Sequence, residues 1–300
     1  MQWYERLDEK LRDYLPDMTV EHDVPMSRHT SFRIGGPARR MAFPESREQL
    51  VILLGLAEEC GVQPFLLGRG TNLLVSDRGL DTLVIKTAER MTGIRRLDDV
   101  TLEADAGVLL SRLAVYAQQA GLAGLEFAHG IPGTVGGGVC MNAGAYSGEM
   151  KQVLRSAAVL FPEEGIRALS CEELNLSYRH SLLTEHPEAV VLYAEFELTS
   201  GDPETIRAAM RELMAKRKAS QPLEWPSAGS TFTDVPITAA LDAWVNIGRK
   251  DIAEAGYWRV GLAGEATTTL SEALTSAPQA IVLGAEGEGM RRLTREHCDE

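Results

Sequence analysis

Gly68-Arg69-Gly70-Thr71-Asn72-Leu73-Leu74-Val75, and the longer run from His129-Gly130-Ile131-Pro132-Gly133-Thr134-Val135-Gly136-Gly137-Gly138 to Met141-Asn142-Ala143-Gly144-Ala145, dominate the chain. Each borders apolar, strand-like sequence. Glycine admits positive φ and lets a ligand approach the main chain without meeting a Cβ. Seven glycines fall between Gly130 and Gly148, a density that costs backbone entropy and returns no side-chain packing. Two such loops in one domain point to a large ligand lying against bare backbone, one that carries a pyrophosphate. Neither loop is a Walker A, because no Gly-Lys-Ser/Thr follows at the required spacing. Neither is the dinucleotide fingerprint of doubly wound folds, because Leu73 stands where the third glycine belongs. A nest of backbone N–H groups that holds phosphate is physically reasonable; tight turns in a glycine-rich α/β protein are the alternative.

The flanking sequence reads as alternating helices and strands. Gly35-Gly36-Pro37 is a turn between short strands. Ser46 to Cys60 reads as a helix, opened by a Ser46/Gln49 capping box and closed by Gly61. Phe65-Leu66-Leu67 is a strand that feeds the first glycine loop. Leu83–Lys86, Val100–Ala104, Ala157–Phe161 and Val190–Leu198 read as further strands. Leu110–Ala120 reads as a helix stopped by Gly121. Gly201-Asp202-Pro203 breaks the chain before a helix from Glu204 to Ala219 with a basic end at Lys216-Arg217-Lys218. A domain boundary is therefore expected near residue 200.

Three hundred residues with 44% hydrophobic and 24% charged side chains suit a soluble protein with a sizeable core. The net charge of −13 argues against a general nucleic-acid binder, which needs a basic face. The four cysteines, Cys60, Cys140, Cys171 and Cys298, form no Cys-x-x-Cys pair, so no metal site is indicated and buried free thiols are expected. Met1 to Arg12 is charged and lacks the apolar core of a signal peptide. No apolar run is long enough to span a bilayer. A cytoplasmic protein without membrane or nucleic-acid partners is expected.

Six motifs occur in a particular order: His29-Thr30-Ser31-Phe32-Arg33-Ile34-Gly35-Gly36-Pro37-Ala38, the Gly68–Val75 loop, Ile131 to Gly137, Met141 to Ala145, Leu176-Ser177-Tyr178-Arg179-His180-Ser181, and Pro226-Ser227-Ala228-Gly229-Ser230-Thr231-Phe232. Over about residues 20–232 the chain resembles the UDP-N-acetylenolpyruvoylglucosamine reductases (MurB). The resemblance implies an α/β (α+β) fold: an FAD-binding domain of the vanillyl-alcohol-oxidase (PCMH) type in two subdomains, 1–75 and 76–200, and a smaller substrate domain over 201–300. It also implies a monomer, a UDP-sugar enolpyruvyl ether as substrate, and FAD and NADPH as cofactors.

In that family NADPH reduces FAD, and hydride then passes to the vinyl carbon of the enolpyruvyl ether. Negative charge develops beside the substrate carboxylate, so a fixed cation and a proton donor are needed. By resemblance Arg179 is the cation, able to grip a carboxylate with two parallel bonds. Ser230 is the proton donor. Gly68, Arg69, Gly70, Thr71, Asn72, Leu73, Gly130, Ile131, Pro132, Gly133, Thr134, Gly136, Gly137 and Asn142 are implied to bind FAD. His129 reads as a structural or flavin-adjacent histidine, since no carboxylate partner is identifiable. Lys216-Arg217-Lys218 reads either as an attractor for a diphosphate or as a solvated helix end.

After Phe232 the family pattern stops, and its C-terminal catalytic glutamate has no counterpart. Residues 233–300, through Leu283-Gly284-Ala285-Glu286-Gly287-Glu288-Gly289-Met290 and Leu293-Thr294-Arg295-Glu296-His297-Cys298-Asp299, are similar to SpoU-type RNA 2′-O-ribose methyltransferases. The segment lacks the upstream Asn/Arg motif, and acidic side chains outnumber basic ones, a poor surface for RNA. It reads as a fused fragment. An RNA methyltransferase-related protein and a non-catalytic FAD-binding protein are the alternatives to the reductase.

Overall fold

The computed structural model describes residues 2–221, 223, 258–262 and 279–283. It separates into two compact units, 1–228 and 229–300.

The first unit opens with helix α1 (Trp3–Tyr14), whose Leu7 and Leu11 are buried four residues apart on one face. Strand β1 (Thr19–Pro25) pairs antiparallel with β2 (Pro37–Phe43). Helix α2 (Arg47–Glu59) follows, and its N-cap Ser46 accepts a hydrogen bond from the Gln49 amide at 3.2 Å. The Gln49 side chain reaches back one residue further than a capping box requires, to the Glu45 amide at 2.8 Å. Gly61 closes the helix at φ +70°. Strands β3 (Phe65–Leu67) and β4 (Leu80–Lys86) then complete a mixed sheet in the order β1-β2-β4-β3, with β4 parallel to both neighbours.

Strands β5 (Ile94–Arg96) and β6 (Thr101–Asp105) begin a second sheet, followed by helix α3 (Leu110–Gln119) and the short β7 (Leu122–Ala123). The run Val135–Cys140 is a short helix, α4, where the glycine-rich sequence had suggested only loop. Tertiary packing overrides the poor helix propensity of three consecutive glycines. At Gly136 a Cβ would sit 3.0 Å from that of Ala106, so a bare helix face is what lets α4 lie on the end of β6. Next come β8 (Gly144–Ala145), β9 (Gly148–Glu149), β10 (Leu154–Phe161), β11 (Gly165–Ser170), β12 (Val190–Glu197) and β13 (Thr199–Ser200). The second sheet is antiparallel, in the order β11-β10-β12-β6-β5.

Strand β12 feeds two cores. Val190 and Leu192 pack with Leu50, Leu53 and Leu56 of α2 and with Ile85 of β4. Val191, Ala194 and Phe196 pack instead with Leu102, Leu113 and Val139. Strand side chains alternate between faces, so this assignment needs one parity change. The pairing with β10 supplies it by skipping Leu192, a bulge. Helix α5 (Pro203–Ser220) ends this part, capped by the Asp202 side chain on the Thr205 amide at 2.8 Å, with Ile206 and Met210 buried.

An ion-pair cluster ties α2 to the second sheet. Arg47 reaches Glu103 at 2.5 Å and Asp105 at 2.6 Å, and its guanidinium stacks 3.9 Å above the Tyr193 ring. Arg95 grips the same Glu103 with both arms, at 3.0 and 2.8 Å. Glu103 is only 3% exposed. Burial alone would raise its pKa, but hydrogen bonds from Arg95 and Arg47 hold the carboxyl below its ordinary 4.5.

In the second unit, β14 (Trp258–Leu262) and β15 (Gln279–Leu283) pair in parallel. Of the described cysteines, Cys60 is buried but Cys140 and Cys171 are only partly so, which corrects the expectation of uniformly buried thiols; all three are free. Among the described residues no helix is long and apolar enough to cross a membrane, and no cluster of ligands suits a metal.

Removing Glu103 leaves Arg47 with Asp105 alone and leaves the exposed Arg95 to water. Glu103→Ala should therefore lower stability by about 1–3 kcal/mol in urea unfolding. A carboxyl whose folded pKa lies below its unfolded value stabilises above the unfolded value and loses that contribution as pH falls through the folded one. The unfolding midpoint of the native chain should thus fall more steeply below pH 4.5 than that of Glu103→Gln.

Candidate functional site

The first glycine loop springs from the end of β3, where Leu67 pairs with Lys86 of β4. Gly70 has φ +69°, and a Cβ there would run into the His29 carbonyl oxygen. Only glycine meets both demands. The segment after β1 closes over the loop, with the Ser31 amide donating to Gly70 O at 2.9 Å. Beneath it, Lys86 Nζ lies 3.1 Å from His29 Nδ1. Burial first, and the Lys86 ammonium second, push the His29 imidazole below its ordinary 6.5.

The second glycine run meets the first. A Cβ on Gly68 would stand 2.5 Å from Thr134 Oγ1, and Thr134 is itself buried. The Val135 and Gly136 amides are spent on the Val108 and Ala106 carbonyls at 2.8 and 2.9 Å, which pins α4 to the end of β6.

Most of the remaining amides in these loops have no such partner. From Arg69 to Leu74 no main-chain N–H donates to an acceptor among the described residues, and the same holds for Gly133, Thr134 and Gly137. Successive main-chain N–H groups left without a protein partner are what a backbone anion site is made of. Arg69, Asn72, Pro132 and Gly137 are exposed while Gly70 and Thr134 are buried, so one edge of the joined loops opens outward. A dinucleotide with a diphosphate, rich in acceptor oxygens and tolerant of bare backbone, fits this cradle.

Arg179 lies on a different turn that is tied to the second glycine run. Ser177 and His180 exchange backbone hydrogen bonds at 3.1 and 3.2 Å, leaving Tyr178 and Arg179 at the exposed tip. Arg179 has φ +53°, a left-handed conformation that costs a non-glycine residue about 1 kcal/mol or more. Its guanidinium carbon is 5.5 Å from the Tyr178 ring centroid.

Asn142, implied by the resemblance to touch FAD, is buried, with φ +40°. Its Oδ1 accepts from the Lys151 amide at 3.0 Å, and its Nδ2 donates to Glu149 Oε2 and to the Ser177 carbonyl, each at 3.0 Å. The carboxamide is thus engaged by protein groups, one of which is the base of the Arg179 turn. Ser230 lies outside the described residues, as do Glu286 and Glu288.

His129 has a buried Nδ1 with no partner among the described residues. It borders a cleft of about 400 Å³ lined also by Val115, Gln118, Arg211, Met214 and Lys218. At the basic end of α5, Lys216 pairs with Glu212 at 2.7 Å, while the Arg217 stem packs against Gly130. Sequence reasoning missed His29, Lys86, Ser31 and Ser181. His29 and Ser31 lay inside a quoted motif but carried no separate signal, since their roles arise from contacts far along the chain.

The comparisons agree with this geometry. Residues 38–170 match the FAD binding domain family. The two-lobed mixed α/β arrangement is the FAD-binding fold of the vanillyl-alcohol-oxidase type; an alkyldihydroxyacetonephosphate synthase shares it at TM-score 0.51 with 19% identity. That likeness covers 67% of this chain and 44% of the synthase. At a finer level, the UDP-N-acetylenolpyruvoylglucosamine reductase of Caldanaerobacter subterraneus is 44% identical over 232 residues, 77% of this chain and 76% of that one. The enzyme of the same name from Rubrobacter xylanophilus is 47% identical over 217 residues, 72% of each chain. The crystal structure of the Thermus caldophilus UDP-N-acetylenolpyruvylglucosamine reductase superposes at TM-score 0.63 with 31% identity, covering 93% of this chain and 94% of that one. The chain belongs to the UDP-N-acetylenolpyruvoylglucosamine reductase family.

Gly70→Ala should force the loop off the His29 carbonyl. The expected outcome is purified protein with less than about a tenth of the native flavin content, by absorbance, while far-ultraviolet circular dichroism stays unchanged. Full flavin retention would remove this close approach from cofactor binding.

Proposed function

We propose that the chain reduces UDP-N-acetylglucosamine enolpyruvate to UDP-N-acetylmuramate, with NADPH as reductant, in the cytoplasm and as a monomer. The observation that carries this reading is the row of unpaired amides from Arg69 to Leu74, facing the second glycine run at Thr134. Bound there, FAD would supply the hydride-transfer chemistry between NADPH and the vinyl carbon of the enolpyruvyl ether.

The chain's own residues do the rest. The two loops hold the diphosphate with main-chain donors, chiefly those of Arg69–Leu73 together with Gly133, Thr134 and Gly137. The Arg179 guanidinium pairs with the substrate carboxylate and offsets the charge that develops beside it as the hydride arrives. The Ser230 hydroxyl gives its proton to the adjacent carbon, so that hydride and proton together saturate the double bond. In this reading the two sheets are the lobes of the cofactor domain, and the residues after about 200 serve the substrate. The tail from 233 to 300 we read as a fused fragment similar to SpoU-type methyltransferases but without their activity. Titration with S-adenosylmethionine should release no measurable heat.

Anaerobic NADPH should bleach the flavin, and the enolpyruvyl substrate should restore its colour. Arg179→Ala should slow recoloration by roughly 10²–10³-fold while bleaching proceeds at the native rate. Ser230→Ala should likewise slow only recoloration. Protein that bleaches but never recolours on the enolpyruvyl ether would show that this compound is not its substrate.

A further inference from the structure

The turn that carries Arg179 is exposed and strained, yet it is clamped at both ends by buried side chains on or against a single neighbouring stretch. At its start, the Ser177 carbonyl accepts from His180 N at 3.2 Å and from Asn142 Nδ2 at 3.0 Å. At its end, Ser181, fully buried, donates from Oγ to the Cys140 carbonyl at 2.6 Å. Both anchors land on Cys140–Asn142, the C-terminal end of α4 and the residues just after it. The stretch is fixed in turn: the Ala143 amide donates to Gly138 O at 2.8 Å, and Asn142 holds the Lys151 amide and Glu149. The route from the second glycine run to the arginine is therefore short and made of hydrogen bonds whose side-chain members, Asn142 and Ser181, are buried.

We infer that Asn142 and Ser181 are positioning residues for Arg179. They fix the turn relative to α4, and so hold the guanidinium at a set place relative to whatever lies on the second glycine run. This inference rests on the reading of Arg179 as the carboxylate-binding cation. Three physical arguments support it. Both Nδ2 hydrogens of Asn142 are spent on the protein and its Oδ1 already holds the Lys151 amide, so the carboxamide braces the protein. A left-handed Arg179 persists only where its surroundings over-determine the backbone. A displacement of about 1 Å in a charge-stabilising group costs up to roughly 10²-fold in rate, so anchors on both sides of a flexible arginine matter to the reaction.

The test crosses Asn142→Gly and Ser181→Ala with Arg179→Ala in the full-length, flavin-loaded protein. Glycine at 142 keeps the positive φ and removes only the carboxamide. Three quantities are read: flavin content, the rate of bleaching by NADPH, and the rate of recoloration by the enolpyruvyl substrate. The affinity for the product carboxylate is followed separately, from the perturbation of the flavin spectrum. Each single variant should retain flavin and bleach at the native rate. Each should recolour roughly 10- to 100-fold more slowly and bind product correspondingly less tightly. In the Arg179→Ala background the same substitutions should change recoloration by less than about 2-fold, because their effect runs through the arginine.

Losses that multiply undiminished in that background would overturn the inference, as would native recoloration in both single variants. If Arg179→Ala alone recolours at the native rate, the reading of the arginine itself falls. Should Asn142→Gly fail to hold flavin, Ser181→Ala carries the same comparison; its oxygen also caps the Leu183 amide at 3.2 Å and bonds with the Cys140 thiol.

Discussion

The structure turns on glycine main chain packed so closely against neighbouring segments that a Cβ has no room. At Gly70 the loop touches the His29 carbonyl, and at Gly68 it touches Thr134. These two approaches join segments about forty and about sixty-six residues apart into one surface, on which the amides from Arg69 to Leu74 have no partner among the described residues. A methyl group at either position would push the loops apart. The elements around them exist to hold those loops: β3 and β4 present the first, while β6 and α3 support the second through the Val108 and Ala106 carbonyls and the Leu110 amide.

Two further devices keep the halves of this surface in register. Strand β12 changes parity at Leu192 and so contributes to both cores, which makes the second sheet a wall of the first. The Arg47–Glu103–Arg95 cluster then fixes α2 against β6 and β5. Its net worth in stability is modest, because desolvation of the charges opposes their attraction. Its geometry is specific, since one carboxylate satisfies two guanidinia that come from different parts of the chain.

Much of the local structure was legible in advance because its causes are local. Ser46 and Gln49 start a helix wherever they stand before an apolar run, and Pro203 with Asp202 starts another. The apolar runs Phe65–Leu67 and Val190–Leu198 read as strands for the same reason. What failed was local inference where long-range packing decides. Gly136–Gly138 has no helical propensity to speak of, yet forms α4 because a bare face is what lies flat on Ala106 and Leu110. Asn142 looked like a ligand contact from its motif. Its side chain is instead a junction between residues 149, 151 and 177, which no spacing rule brings together.

By itself, the sequence showed two glycine-rich stretches whose backbone is bare of side chains, and so led to the expectation of a cofactor lying against them. That expectation follows from residue type, because positive φ, missing Cβ atoms and turn chemistry are properties of single residues and their neighbours. Only the tertiary structure decided that the two loops meet at Gly68 and Thr134, that the amides from Arg69 to Leu74 find no partner among the described residues, and that Cys140 and Asn142 anchor the arginine's turn. Those are statements about distance between segments far apart in the chain. Hydrogen-bond partners at such range are chosen by the packed cores that set the distances.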